Sequence, residues 1–135
     1  MVKCINEITL RGPSELLDEF QKNKLLFSTY LPCPAGHSTE WCMEHWGTPI
    51  ENKMNPDVDA YGIMDHVVNE VEYMRDLNTL KVRMNTSLSP PNAFLKHLIE
   101  RFPGLWIKNL WSIGQKEGVW VAYMEDTITI KSLEW

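Results

Sequence analysis

The residue pattern predicts an α+β domain of two layers, a mostly antiparallel sheet with two main helices on one face. Three observations carry this. Two segments, 13–24 and 90–104, repeat apolar residues at helical spacing, the other patterned segments alternate apolar with polar residues, and 135 residues suit one core rather than two. The whole of 1–135 therefore reads as one domain, with a long inserted region at about 32–65.

The first strand is KCINEITLRG, which sets Ile8 and Leu10 on one face and ends at Gly12. Pro13 then suits a first helical turn, where its missing N–H is no loss. In PSELLDEFQKNK, Leu16, Leu17 and Phe20 form a stripe, and Glu15, Asp18 and Glu19 lie near the favourable end of the helix dipole. LLFSTYLP reads as a second strand stopped by Pro32 and Pro34. Residues 33–62 form an excursion longer than a connection needs, with one short helix from Ser38 to Trp46 that puts Trp41 and His45 on a shared face.

HVVNEVEYM and LNTLKVRMNTSL read as strands around the turn RDLN, with Leu80, Val82 and Met84 inward and Lys81, Arg83 and Asn85 outward. The clearest element is SPPNAFLKHLIERFPG: Pro90 and Pro91 open it, and Leu95, Leu98, Ile99 and Phe102 fall at i, i+3, i+4 and i+7. LWIKNLW and GVWVAYME are strands joined by SIGQKE, and TITIKSLEW is an edge strand. The helices cover one face of the sheet. Trp106, Trp111 and Trp120 are expected on the other.

Charge is unevenly placed. Residues 51–76 hold seven acids (Glu51, Asp57, Asp59, Asp65, Glu70, Glu72, Asp76) against Lys53 and Arg75, and the chain carries a net −5. Such a field repels a phosphate backbone and disfavours nucleic acid as a partner. Three cysteines, Cys4, Cys33 and Cys42, supply no disulfide framework and suit a reducing compartment. No run of apolar residues is long enough for a signal peptide or a membrane span, so an intracellular protein without a membrane partner is expected.

Three stretches carry more than composition: CINEITLRG, the loop HWGTP with Trp41 before it, and NTSLSPPNAFLKHLIERFPGL. Together they resemble the YubB-like ferredoxin-fold domain family, proteins encoded chiefly by phages, plasmids and other mobile elements. The resemblance implies a ferredoxin-like sandwich, and it maps the family pattern onto Asn6, Trp46, Gly47, Thr48, Thr86, Pro90 and Pro91. Departures from that pattern are Pro49-Ile50 after the loop, Leu88 before the proline pair, and WSIGQKEGVWVAYM near the end.

Catalytic motifs are missing from the sequence: it has no phosphate-binding glycine loop, nucleophile elbow or metalloprotease helix. Cys33, His37, Cys42 and His45 have the residue types of a zinc site, but the spacing C-x3-H-x4-C-x2-H fits no common arrangement. No cofactor and no metal are expected. The loop HWGTP reads first as a tie between the excursion and the core. The reading is a non-enzymatic accessory protein that binds a host or viral protein in the host cytoplasm. Its expected contacts are Trp46, Asp57, Asp59, Tyr61, Asp65, Trp106 and Trp120, the acids steering a basic surface and the rings supplying anchors. Alternatives are a virion structural component and a single-stranded nucleic-acid-binding protein that stacks bases on Trp106 and Trp120 beside Lys81, Lys108 or Lys116.

Dialysis against a chelator should leave the melting temperature unchanged; stoichiometric zinc, with a loss of more than about 2 kcal/mol on its removal, would show the cysteines and histidines to be ligands.

Overall fold

A computed structural model describes residues 3–23, 25, 27–33, 39–49 and 72–135. In chain order the elements are β1 (Lys3–Arg11), α1 (Ser14–Lys22), α2 (Phe27–Tyr30), α3 (Thr39–His45), β2 (Glu72–Asp76), β3 (Thr79–Ser87), α4 (Asn92–Arg101), β4 (Trp106–Ile113), β5 (Lys116–Met124) and β6 (Ile128–Glu134). The strands form one six-stranded sheet in the order β2-β3-β1-β4-β5-β6, and every pairing is antiparallel. The domain is therefore α+β, with a larger sheet than a split βαβ unit requires.

Strand β1 lies at the centre and sets the core. Its alternation buries Cys4, Asn6, Ile8 and Leu10 and turns Ile5, Glu7, Thr9 and Arg11 the other way. Ile8 stands beside Val82, and Leu10 between Leu80 and Ile107, so that β-branched and aliphatic side chains meet across three strands. Onto this face α1 brings Leu17 and Phe20, and α4 brings Phe94, Leu95, Leu98 and Ile99, all in one cluster with Ile8, Leu10, Leu80 and Ile107. Pro13 opens α1 as expected, its carbonyl accepting from the Leu16 and Leu17 N–H groups.

Several expectations need correction. LLFSTYLP is not a strand; Phe27–Tyr30 is the short helix α2, which buries Phe27 and Tyr30, three residues apart, on one side. Phe27 lies 4.5 Å from Phe94 and Tyr30 lies 5.3 Å from Phe20, ring centre to ring centre, contacts that a two-residue alternation cannot make at once. With that strand gone, three helices stand between β1 and β2 among the described residues. The first hairpin turns at Leu77-Asn78, since Arg75 and Asp76 still pair with Leu80 and Thr79. The second is equally tight: β4 and β5 run on to Ile113 and Lys116, and Gly114 takes a positive φ of 58° in the turn. Phe102 is the C-cap of α4 and only half-buried. Of the inserted region, residues 34–38 and 50–65 lie outside the described residues, as does the strand start at 66–71.

Leu98→Ala should lower stability by about 2–5 kcal/mol, because the side chain is fully enclosed. Phe102→Ala should cost less. Urea melts that ranked the two the other way would contradict this core.

Candidate functional site

Residues of the HWGTP loop, the first strand and the proline turn come together in one buried knot. Asn6, at 0% exposure, donates through Nδ2 to the Met84 carbonyl (3.2 Å) and to Thr86 Oγ1 (2.9 Å). Thr86 in turn donates to the Ser89 carbonyl, Ser89 to the Gly47 carbonyl, and Thr48 to the Ser87 carbonyl. The Phe94 N–H, one of the otherwise unsatisfied donors at the start of α4, reaches the Trp46 carbonyl at 3.2 Å. No side chain caps this helix. The loop backbone does so instead, and Gly47 makes the approach feasible: its φ is +86°, and a Cβ there would stand 2.9 Å from the Pro90 carbonyl oxygen.

Trp46 is 1% exposed, in contact with Phe27 and Trp41, and its Nε1 donates to the Leu31 carbonyl at 2.9 Å. A ring so enclosed is a plug, and the expectation that it touches a partner is corrected. Asn109 was not singled out by its sequence context, yet it completes the knot, donating to Asn6 Oδ1 and Asn92 Oδ1 at 3.1 Å each. Its only sequence signal is a polar residue at an inward position of an apolar strand.

The thiol and imidazole candidates do not converge among the described residues. Cys42 is fully buried, while the His45 ring stacks on Trp41 at 4.4 Å with Nδ1 at the Trp41 carbonyl. No group of three metal-ligating side chains occurs among the described residues, and His37 lies outside them. Asp57, Asp59, Tyr61 and Asp65 also lie outside them.

Trp111 and Trp120 are not on the open face. The register sets Trp111 beside Asn6 and Trp120 beside Asn109, on the side the helices cover, and Trp120 is 6% exposed. The Trp111 ring lies flat over Gly118, where a Cβ would come within 2.3 Å of it. Trp106 alone of the three faces the other way, with the Arg11 guanidinium 5.0 Å above its ring.

What the register does assemble is that second face. One row across the strands reads Met74, Lys81, Thr9, Lys108, Val121, Lys131. The row on one side of it reads Thr79, Arg11, Trp106, Tyr123, Thr129, and the row on the other reads Arg83, Glu7, Leu110, Val119, Leu133. Beyond lie Ile5, Ser112 and Glu117, joined by Trp135, whose indole N–H donates to the Glu117 carboxylate. Two shallow depressions of about 350 and 410 Å³ open between these side chains, meeting at Glu7, Arg83 and Leu110. No described helix covers them.

Below this face, burial pushes the Cys4 thiol up to about 11 from its ordinary 9.0, against the downward pull of its hydrogen bonds with Thr86 and the Ser112 backbone. The folded chain thus holds this proton to higher pH than the unfolded chain does. Burial raises the Tyr30 phenol as well, in the same sense. The contribution of Cys4 is complete below the unfolded value of 9.0 and is lost as pH climbs through 11. Urea midpoints should therefore fall across that window, and Cys4→Ala should fall less steeply.

No helix among the described residues is long and apolar enough to cross a membrane. Compared with known proteins, the chain matches no family model, no curated protein and no solved structure.

Proposed function

We propose that the chain is a non-enzymatic binding module that holds a protein partner on its open sheet face. The observation that carries this is the concentration of exposed apolar side chains there. Ile5, Met74, Leu110, Leu133 and Trp135 all lie on that one face, and Met74, Leu133 and Trp135 are 60–70% exposed. Leu110, Val119 and Leu133 share one row, with Ile5 and Trp135 in the row beyond it, while Met74 stands apart beside Lys81. An apolar patch edged by charge is the pattern of an interface, and Trp106 and Tyr123 add the ring types favoured as anchors. The family resemblance makes a host or viral protein the expected partner, but the reading rests on the face and not on the resemblance. A ferredoxin-like kinship belongs to the same proposal: two main helices against the face of β3, β1 and β4 support it, and the wider sheet departs from it.

A single-stranded nucleic acid is the second reading, favoured by the lysines on this face. Two details rank it lower. The Arg11 guanidinium lies over the Trp106 ring, and Glu7 and Glu117 stand on the same face outside the lysine row, where they repel a phosphate backbone and its flanking groups.

The test is affinity capture with three forms of the chain: the wild type, a Leu110→Asp/Leu133→Asp variant, and a Met43→Asp control on exposed α3 surface. A protein retained by the wild type and the control but lost from the double variant supports the reading. Equal retention by all three would remove the face from consideration.

A further inference from the structure

Lys81, Lys108 and Lys131 come from three different strands, and the register lines them up on every second strand: β3, β4 and β6, with β1 and β5 between them. Strands in a sheet lie about 4.8 Å apart, so the three ammonium anchors stand about 10 Å from one another along a line about 20 Å long. None of the three makes an ion pair among the described residues, although Lys96 and Lys116 do. Among the acids of this face whose side chains are described, Glu7 and Glu117 fall in other rows, and Asp76 sits at the sheet edge. A line of unpaired cations on a chain of net charge −5 is a local departure from the whole. It selects an anionic partner surface.

The apolar side chains decide the shape of that surface. Leu110, Val119 and Leu133 form a second line parallel to the lysines, two residues further along the strands, or about 7 Å away. A ligand crossing the strands must therefore present an acidic stripe and an apolar stripe side by side. An extended segment sends alternate side chains to opposite faces and cannot do so. An α-helix can: positions i and i+7 are about 10.5 Å apart along its axis, and the apolar positions next to them fall on the adjoining flank. Resting on the protein-binding reading above, we propose that the partner presents an acidic amphipathic helix, laid across the strands with carboxylates over Lys81, Lys108 and Lys131 and its apolar flank over Leu110, Val119 and Leu133.

The probe is a labelled helical peptide of about 20 residues, long enough for three positions spaced by seven, with Glu and Leu on adjacent flanks. It is compared with a scrambled peptide of the same composition and with a single-stranded oligonucleotide. The striped peptide should bind more tightly than the scrambled one, and added salt should weaken it. The Lys81→Glu/Lys108→Glu/Lys131→Glu variant should lose about tenfold or more in affinity and gain affinity for a peptide with Lys in place of Glu. Absence of binding at about 100 μM, indifference to scrambling or indifference to the charge reversal would overturn the proposal. So would an oligonucleotide that binds more tightly than the peptide. The captured partner separates this failure from that of the docking reading: a protein lost from Leu110→Asp/Leu133→Asp but held by the lysine variant keeps the face and removes the acidic helix.

Discussion

The hydrogen bond from the Phe94 N–H to the Trp46 carbonyl is the constraint on which the rest of the arrangement depends. A helix start buried without a cap leaves donors unsatisfied, at about 1–3 kcal/mol for each group. Proline at 91 removes one donor and supplies no side-chain acceptor, so the acceptor must come from elsewhere in the chain. The loop around Gly47 supplies it, and the position of α4 over the sheet thereby becomes tied to the position of α3. The Trp46 ring then fills the space between Phe27 and the residues beneath, and Thr86, Ser87 and Ser89 lock the far side of the loop to the end of β3. One backbone contact and one glycine thus join residues 46 and 94, distant in the chain, a non-local closure whose entropy cost the contacts around it must offset.

Where each segment has a strong single period, the structure is legible in the sequence. Hydropathy follows burial in β1 from Glu7 to Leu10 and in β3 from Leu80 to Met84, and the inward Ile8, Leu10, Leu80, Val82 and Met84 are core, whereas outward Ile5 and buried Asn6 invert the pattern. The stripe of α4 is equally plain. Strand β5 is different because both parities are apolar: Val119 and Val121 face one way, Trp120 and Ala122 the other. Hydropathy cannot rank those faces. Gly118 could have done so, since a glycine opposite a tryptophan marks a place where a large ring must lie close to the backbone. The helix at 27–30 was hidden for another reason. Phe27, Ser28, Thr29 and Tyr30 all have middling helix propensity, and rings that meet α1 and α4 decided the conformation.

The site was less legible than the fold. Acids cluster visibly in residues 51–76, which makes Asp57, Asp59 and Asp65 the steering surface the sequence suggests. The lysines at 81, 108 and 131 are separated by more than 20 residues each and form no cluster in the sequence. Only the register aligns them. Likewise Trp106 is one of six tryptophans with nothing in its immediate context to separate it from Trp111, yet an odd step of five positions from one to the other sends their rings to opposite faces.

The buried knot and the open face are two sides of the same strands. Asn6 is held by β3 on one side and by Asn109 of β4 on the other, so the three central strands are cross-linked through side chains beneath the sheet as well as through the backbone within it. The next residue of β1, Glu7, stands on the outer surface, and Lys81 and Lys108 flank Thr9 two positions further on. A sheet free to shear would vary the spacing between those lysines and spread the binding energy over many arrangements. Side-chain amide hydrogen bonds that hold β3, β1 and β4 in register set that spacing in advance of the proposed contact, and such preorganisation reduces the entropy lost on association. The amide network at Asn6 and Asn109 contributes nothing to the contact surface itself. Its part in the proposed contact is to keep the outer rows parallel.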